Sequence, residues 1–348
     1  MSQTYDEILH QPAAWRETLT TVTDQWAAID QQLKPGPAAQ ALFIGAGTSL
    51  YIAQVAAAVF QEATGWTSRA VPASEVFLSP GSHVPREAPV LAFLISRSGT
   101  TSETILAAEF LQQTAANVRT VGVTCNLGTP LAASVDQVIE LPFATEQSVV
   151  MTQSFTSMLL ALQLIAATVG DIGALRAELE SLPELMASRM GEAEEFGREL
   201  GERQDLKRFI FLGLGPNSGL AEEGTLKLKE MTQVTCEAYN PLEFRHGPIS
   251  IVGEDTAVIL LEGERERAYL GDLEVDLQRY GAFVAAIGPY QAGHAERTFL
   301  LPGGLSDLGR GPLYLPPLQF LAYHRALTLG LDPDQPRNLN QVVLLNAH

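Results

Sequence analysis

The feature that most constrains the fold is a short pattern that occurs twice, once in each half of the chain. Residues 41–44, Ala-Leu-Phe-Ile, form an apolar run that leads into the glycine-rich turn Gly-Ala-Gly-Thr-Ser at 45–49. Residues 209–212, Phe-Ile-Phe-Leu, lead in the same way into Gly-Leu-Gly-Pro-Asn-Ser-Gly at 213–219, and a helical stretch follows each turn. A strand, a glycine-rich turn and a helix begin a βαβ unit. The repeat therefore predicts an internal duplication of a parallel α/β domain.

Further apolar runs continue this pattern in both halves. Those of the first half are apolar on both faces, which is typical of parallel strands that helices cover on both sides. The predicted strands are 90–95, 120–124 and 137–141 in the first half, and 236–239, 257–261 and 283–287 in the second. The sequence therefore predicts an α/β fold with two parallel sheets flanked by helices.

The expected organisation along the chain has five parts. An amino-terminal helical segment is stopped by Lys34-Pro35-Gly36-Pro37, because proline and glycine end helices. A stretch rich in Glu and Arg around Pro183 reads as helices that join the two halves. The predicted parts are 1–35 (helical segment), 36–170 (first domain), 171–205 (helical linker), 206–340 (second domain) and 341–348 (tail).

Composition narrows the possible partners. Forty acidic and 22 basic residues give the 348-residue chain a formal charge of -18, which repels nucleic acid and anionic membrane surfaces. We therefore expect neither as a partner. Cys125 and Cys236 fit no disulfide framework or metal spacing, and the start of the chain shows no signal peptide, so we expect a cytoplasmic protein without a metal.

Two turns are candidates for holding an anion. Backbone N–H groups at a helix start, with the hydroxyls of Thr48 and Ser49 beside Gly47, favour a phosphate dianion, although such a turn is also common as a tight connection. The turn at 96–101, Ser-Arg-Ser-Gly-Thr-Thr, has four hydroxyls and a guanidinium, more than helix capping needs. Neither a P-loop nor a complete dinucleotide fingerprint is present, so a phosphate ester fits better than a nucleotide cofactor.

Acid–base chemistry has candidates in the second half. Glu223, Lys227 and Glu230 fall at i, i+4 and i+7 on one face of a predicted helix, although a solvated charged stripe would look the same. His246 lies on a predicted loop at 240–248, where a structural histidine is the alternative. A carboxylate and a histidine are the groups needed to open a sugar ring and move a proton between neighbouring carbons.

These motifs together resemble the double sugar-isomerase (SIS) domain family, most closely the isomerase half of glucosamine-6-phosphate synthase. The resemblance covers about residues 40–340. It is carried by Ser-Arg-Ser-Gly-Thr-Thr at 96–101, Glu-Gly-Thr-Leu-Lys-Leu-Lys-Glu at 223–230, Phe-Arg-His-Gly-Pro at 244–248 and Asp-Gln-Pro-Arg-Asn-Leu at 334–339. It implies two tandem SIS domains, each a flavodoxin-like αβα sandwich.

The resemblance also implies roles for single residues. Glu230 would move a proton between C1 and C2 of the sugar, with Lys227 and Glu223 beside it. His246 would open the ring and reach into the site of a second subunit, which implies a homodimer. No cofactor is implied. The residues implied to hold the sugar phosphate are Gly47, Thr48, Ser49, Ser96, Arg97, Ser98 and Thr101.

Three departures from the synthase pattern shape the expected activity. No glutaminase domain is present in this sequence, Arg97 stands where the synthase has glutamine, and Gln341 aligns with the catalytic lysine that forms an imine with the ketose. An amino-sugar phosphate brings its own nitrogen and needs no such lysine. We therefore expect an isomerisation followed by imine hydrolysis, as in a glucosamine-6-phosphate deaminase or a fructosamine-6-phosphate deglycase. A plain phosphosugar isomerase and a non-catalytic phosphosugar sensor are the alternatives.

Overall fold

The computed structural model describes residues 2–33 and 40–345, which form two compact units. The first unit comprises residues 11–147, 153–180 and 340–345, and the second comprises 2–10, 148–152 and 181–339. The predicted stop at Lys34–Pro37 and the predicted boundary at 35/36 lie outside the described residues. The other domain boundaries stay a prediction, and the compact units group the chain differently.

The first unit contains a sheet of five parallel strands in the order β2-β1-β3-β4-β5. Its centre is aromatic, with Phe43 of β1 stacked on Phe93 of β3 at a ring separation of 4.9 Å. Burial of the central strands on both faces follows from their apolar sequences. The strands are β1 Gln40–Gly45, β2 Ser68–Pro72, β3 Val90–Ile95, β4 Val118–Thr124 and β5 Gln137–Glu140.

Helices connect and cover these strands. Helix α1, Gln3–Leu33, begins in the second unit and continues into the first, and helix α8, Gly173–Ala187, contributes residues to both units. Helix α7, Gln153–Val169, is largely apolar, and fifteen of its residues are buried. The remaining helices of the first unit are α2 Thr48–Thr64, α3 Ala73–Leu78, α4 Pro80–His83, α5 Ser102–Thr114 and α6 Pro130–Ala133.

The second unit repeats the same topology. Its five parallel strands are ordered β10-β9-β8-β6-β7, which is the order of the first sheet read from the other edge. The predicted α/β fold with two parallel sheets is confirmed. The strands are β6 Arg208–Gly213, β7 Thr235–Tyr239, β8 Thr256–Leu261, β9 Phe283–Gly288 and β10 Arg297–Leu300, and the helices are α9 Met190–Gly201, α10 Pro216–Thr232, α11 Pro241–Phe244, α12 Arg267–Arg279 and α13 Leu315–Thr328.

The two glycine-rich turns have the same backbone conformation. Gly47 before α2 has φ 56° and ψ −129°, and Gly215 before α10 has φ 57° and ψ −126°. This conformation is strained for any residue with a Cβ, so glycine is needed at both positions. Agreement in conformation, strand order and position confirms the duplication.

Strands β2 and β10 were missing from the sequence-based expectation. Both are edge strands that pair on one side only and are partly exposed. They carry polar residues such as Arg69 and Arg297 and so lack the apolar runs of the inner strands. The other two edge strands, β5 and β7, were predicted, so the apolar-run pattern locates the inner strands but is not reliable at the edges of a parallel sheet.

Asp334, in the 334–339 motif, has a structural role within the second unit. Its carboxylate accepts hydrogen bonds from the backbone N–H groups of Gln3 and Thr4, at 2.9 and 2.8 Å, and from the Ser2 hydroxyl. These bonds satisfy donors that the first turn of α1 leaves open, and they lower the pKa of Asp334.

Among the described residues, no helix has both the length and the apolarity that crossing a bilayer would require.

Candidate active site

The two candidate anion turns of the first unit lie side by side. The turn at 45–49 follows β1 and the turn at 96–101 follows β3, and these strands are paired in parallel. The sheet order reverses between β1 and β3, and such a switch point is where open α/β sheets bind ligands. Helices α2 and α5 begin at these turns, so their amino termini supply N–H groups for an anion.

The hydroxyls of the 96–101 turn form one cluster. Ser96 Oγ lies 3.0 Å from Thr101 Oγ1, and Ser98 Oγ accepts hydrogen bonds from both the N–H and the hydroxyl of Thr100. Ser96 Oγ also accepts from the Gly99 N–H at 3.1 Å. These bonds fix the turn, and the clustered hydroxyls present donors and acceptors that can rearrange around an oxyanion.

The residues of the neighbouring turn differ in exposure. Gly47 is exposed, whereas Thr48 and Ser49 are buried at the start of α2. The structure places the predicted phosphate-binding residues of both turns at the carboxyl ends of two neighbouring strands, β1 and β3. Their contact with a phosphate stays a prediction.

Arg97 has a partner that the sequence analysis missed. Its Nη1 lies 3.3 Å from Oε2 of Glu146, whose side chain is fully buried. Glu146 also accepts hydrogen bonds from the N–H and the hydroxyl of Ser154. Because 49 positions separate Arg97 from Glu146, no local pattern could have indicated this pair.

Gln341 lies in the first unit, near the same turn. Its Nε2 donates to the Gln147 carbonyl oxygen at 2.9 Å, and its own carbonyl oxygen accepts from Nη2 of Arg97 at 3.3 Å. Gln341 is therefore tied to Arg97 of the turn at 96–101 by its main chain and to Gln147 by its side chain.

In the second unit, Glu223, Lys227 and Glu230 lie together on α10. Nζ of Lys227 contacts Oε2 of Glu230 and lies 3.4 Å from Oε1 of Glu223. The side chains of Lys227 and Glu223 are fully buried, whereas that of Glu230 is 18% exposed. The three residues are therefore an internal charged cluster with one accessible carboxylate, and not a solvated stripe.

His246 lies in an exposed turn of the second unit. The predicted loop around it contains the short helix α11, whose end is followed by residues 245–247. The backbone N–H of His246 donates to the Glu243 carbonyl oxygen at 2.9 Å. Within the described residues, no hydrogen bond or ion pair of the imidazole is found, so the ring is presented to its surroundings.

The second unit lacks the hydroxyl cluster of the first at its own switch point. Glu262 follows β8 where Ser96 follows β3, and Glu266 precedes α12 where Thr101 precedes α5. Burial, and then the neighbouring Glu274, raise the pKa of Glu262 to about 8. Buried carboxyls stand here in place of hydroxyls, and each would repel a phosphate dianion whenever it ionised.

Neither cysteine is suited to nucleophilic chemistry. Cys125 and Cys236 are buried and unpaired. Burial raises the pKa of Cys236 to about 12, and burial together with the Glu146 charge raises that of Cys125 further, so both stay thiols at neutral pH. In the part of the chain that the structure describes, no group of three or more His, Cys, Asp or Glu side chains could hold a metal ion.

The fold and this site define a class: double-sheet parallel α/β proteins with a hydroxyl-rich turn at the switch point of one sheet. The chain belongs to the SIS domain family, whose profile matches residues 37–168 and 204–287. The resemblance seen in the sequence is thereby confirmed.

Individual relatives agree with this membership. The chain is 29% identical, over 97% of its length, to a glutamine–fructose-6-phosphate aminotransferase of Methanothermobacter thermautotrophicus, but it spans only 56% of that enzyme. It is 30% identical, over 97% of its length, to a D-galactosamine-6-phosphate deaminase of a Shewanella species, of which it spans 89%.

Solved structures are similar over nearly the whole chain. A glucosamine-6-phosphate deaminase of Thermotoga maritima is 28% identical with a TM-score of 0.80, and the match covers 99% of this chain and 100% of that one. A tagatose-6-phosphate ketose/aldose isomerase of Escherichia coli is 25% identical with a TM-score of 0.83, covering 96% and 94%.

Proposed function

We propose that the protein is an amino-sugar-phosphate deaminase that works by an aldose–ketose isomerisation followed by imine hydrolysis. The observation that carries the proposal is the partly exposed Glu230 carboxylate, held by the buried Lys227 ammonium. A positioned carboxylate with one accessible face is suited to take a proton from one carbon and return it to the next. Relatives whose names specify deaminases of galactosamine 6-phosphate and glucosamine 6-phosphate support the choice of substrate class.

The reaction balances without a lysine imine. Glu230 takes the C2 proton of the open-chain amino sugar and returns it to C1, while one proton of the amine nitrogen passes to the C1 oxygen, so that the aldehyde and amine become a C1 alcohol and a C2 ketimine. Water then adds to the C2=N bond, and ammonia leaves with the amine nitrogen. The products are a ketose phosphate and ammonia. Gln341, which stands where the synthases have lysine, is compatible with this route because the substrate supplies the nitrogen.

The phosphate of the substrate is assigned to the first unit. The proposed contacts come from Gly47, Thr48 and Ser49 at the start of α2 and from the turn at 96–101 at the start of α5. Two helix amino termini and a cluster of hydroxyls hold a dianion without requiring a net positive protein, which suits a chain of charge -18.

We also propose that the protein acts as a cytoplasmic homodimer in which His246 opens the sugar ring in the site of the partner subunit. The exposed position of His246, with its imidazole presented outward, supports this role. The two buried, unpaired thiols fit a reducing compartment.

An assay of the purified protein tests the main proposal. Glucosamine 6-phosphate, galactosamine 6-phosphate and a fructosamine 6-phosphate are each incubated with the protein, and ammonia or amine is measured together with the sugar phosphate formed. We expect equal amounts of ammonia and ketose phosphate from one of the two hexosamine phosphates. Amine released from the fructosamine 6-phosphate alone would assign the deglycase direction.

A second candidate is a plain phosphosugar isomerase, which the similarity to a tagatose-6-phosphate ketose/aldose isomerase favours. Interconversion of nitrogen-free hexose phosphates, with no ammonia from any amino sugar, would replace the deaminase by this isomerase. Binding without any turnover would instead indicate a sensor.

A further inference from the structure

Arg97 is the only cation in the proposed phosphate turn, yet its charge is already matched. The Arg97 side chain is 10% exposed and pairs with the fully buried carboxylate of Glu146. A buried pair of this kind is screened little by water, and the arginine offers less attraction to an incoming anion than an unmatched guanidinium would. The other terminal nitrogen of Arg97, Nη2, donates a second hydrogen bond, to the backbone carbonyl oxygen of Gln341.

The segment that receives this bond, residues 341–345, makes polar contacts with the turn at 96–102. We call it the C-terminal segment. Leu345 donates its N–H to Oγ of Ser102 at 3.0 Å, the Val343 carbonyl accepts from the Ser102 N–H at 3.5 Å, and the Gln341 side chain bonds to Gln147. Ser102 begins α5, so the segment lies at the helix start where the phosphate is proposed to bind.

Polar contacts hold the described part of the C-terminal segment. Three of its four apolar side chains, Val343, Leu344 and Leu345, are exposed and only that of Val342 is partly buried, so burial of apolar surface contributes little to its position. Its place therefore depends on a few hydrogen bonds. The bond from Arg97 carries a charge, and charge-assisted bonds are about twice as strong as neutral ones.

We infer that Arg97 is a positioning residue: it holds the C-terminal segment against the turn at 96–102 and acts on phosphosugar binding through that segment, not by contact with the phosphate. The fork of the guanidinium suits this task because two nitrogens reach two acceptors that lie far apart in the sequence. The inference rests on the proposed function only in taking this turn as the phosphate site.

The variant that tests it has to avoid leaving a buried charge. Arg97→Gln alone would strand the Glu146 carboxylate, so the test uses the neutral pair Arg97→Gln with Glu146→Gln. Arg119→Gln, at an exposed position on β4, is the control for losing an arginine that lies away from this turn.

Hydrogen exchange of the full chain, without any sugar, is the first measurement. We expect the amides of the C-terminal segment to exchange about tenfold faster in the neutral-pair variant, whereas strands β1 and β3 keep their protection. The control variant should match the parent. Unchanged exchange of the segment would overturn the inference, whatever the protein's activity proves to be.

The second measurement separates an indirect role from phosphate contact. Sorbitol 6-phosphate, which has no carbonyl to react, is titrated into four proteins: the parent, the neutral-pair variant, a chain that ends at Asn340, and that shortened chain with the neutral pair. We expect the neutral pair and the shortening each to weaken binding about tenfold, with no further loss when they are combined.

A neutral-pair effect that persists undiminished in the shortened chain would overturn the inference in favour of direct phosphate contact. If the parent itself binds no sugar phosphate, the proposed function fails, and the exchange rates of the C-terminal segment still decide whether Arg97 holds that segment.

Discussion

Glu230 forms an ion pair with Lys227, a residue three positions earlier on α10 whose side chain is fully buried. The lysine fixes one oxygen of the carboxylate and leaves the group partly accessible. Because Lys227 in turn lies 3.4 Å from the buried Glu223, the position of the proposed base is determined by two residues that no substrate needs to touch.

Replacing Glu230 by Gln should separate binding from chemistry. The amide keeps the shape of the side chain but cannot take a proton, so we expect kcat to fall about 10³-fold. The dissociation constant of sorbitol 6-phosphate should stay within about twofold, because the phosphate contacts are unchanged. Steady-state assay and titration check both values, with Glu222→Gln on the same helix as the control. Parental turnover by Glu230→Gln would remove Glu230 from the mechanism.

Removing the central cation should destabilise the fold. In Lys227→Met the buried Glu223 carboxylate loses its counter-charge, and breaking a buried ion pair on one side costs about 3–5 kcal/mol. The double variant Glu223→Gln with Lys227→Met should regain much of this loss. Urea denaturation measures the free energy of unfolding. If the single variant unfolds at the parental urea concentration, the cluster does not stabilise α10.

The proposed exchange of His246 between subunits can be tested by complementation. Glu230→Gln and His246→Ala are each expected to be inactive, whereas co-expressed chains form mixed dimers. If His246 acts in the partner's site, one of the two sites in each mixed dimer is intact, and activity should return to about a quarter of the parental value. No recovery in dimers shown to be mixed would place His246 and Glu230 of one site on the same chain.

Stability should fall as the pH rises toward 8, and Glu262 should account for part of the change. Burial raises the pKa of this carboxyl from 4.5 to about 8 in the folded protein, so the folded state holds a proton that the unfolded state has lost. The contribution is complete below about pH 4.5 and is lost progressively as the pH rises to about 8.

Glu262→Gln stays neutral at every pH and should flatten this part of the profile. Unfolding free energies measured from pH 5 to 9 test the expectation, and the gap between variant and parent should widen in favour of the variant. Parallel profiles would mean that Glu262 titrates normally. Glu254→Gln, on the surface of the same unit, controls for loss of one acidic residue.

The duplicated fold could be predicted from the sequence because inner strands and their turns are local patterns. The run of apolar residues at 209–212 and the glycines at 213 and 215 are readable without knowing their neighbours. The edge strand β2 escaped because one unpaired side tolerates Ser68 and Arg69, which removes the apolar signal.

The sequence could indicate which candidate residues share a turn or a helix face, but not which contacts they make. The spacing of Glu223, Lys227 and Glu230 indicated one helix face, yet spacing cannot say whether that face is buried. The bonds of Arg97 to Glu146 and Gln341 span 49 and 244 positions, so only the folded chain brings them together. Long-range polar contacts have no periodic signature in a single sequence.

The contacts of the C-terminal segment also set an order in time during synthesis. Residues 341–345 leave the ribosome 244 positions after the turn that they contact. At ordinary elongation rates this delay is about 10–50 s. The first sheet has that interval to assemble before the C-terminal segment exists, so the turn at 96–102 of a nascent chain lacks these contacts until residues 341–345 have been translated.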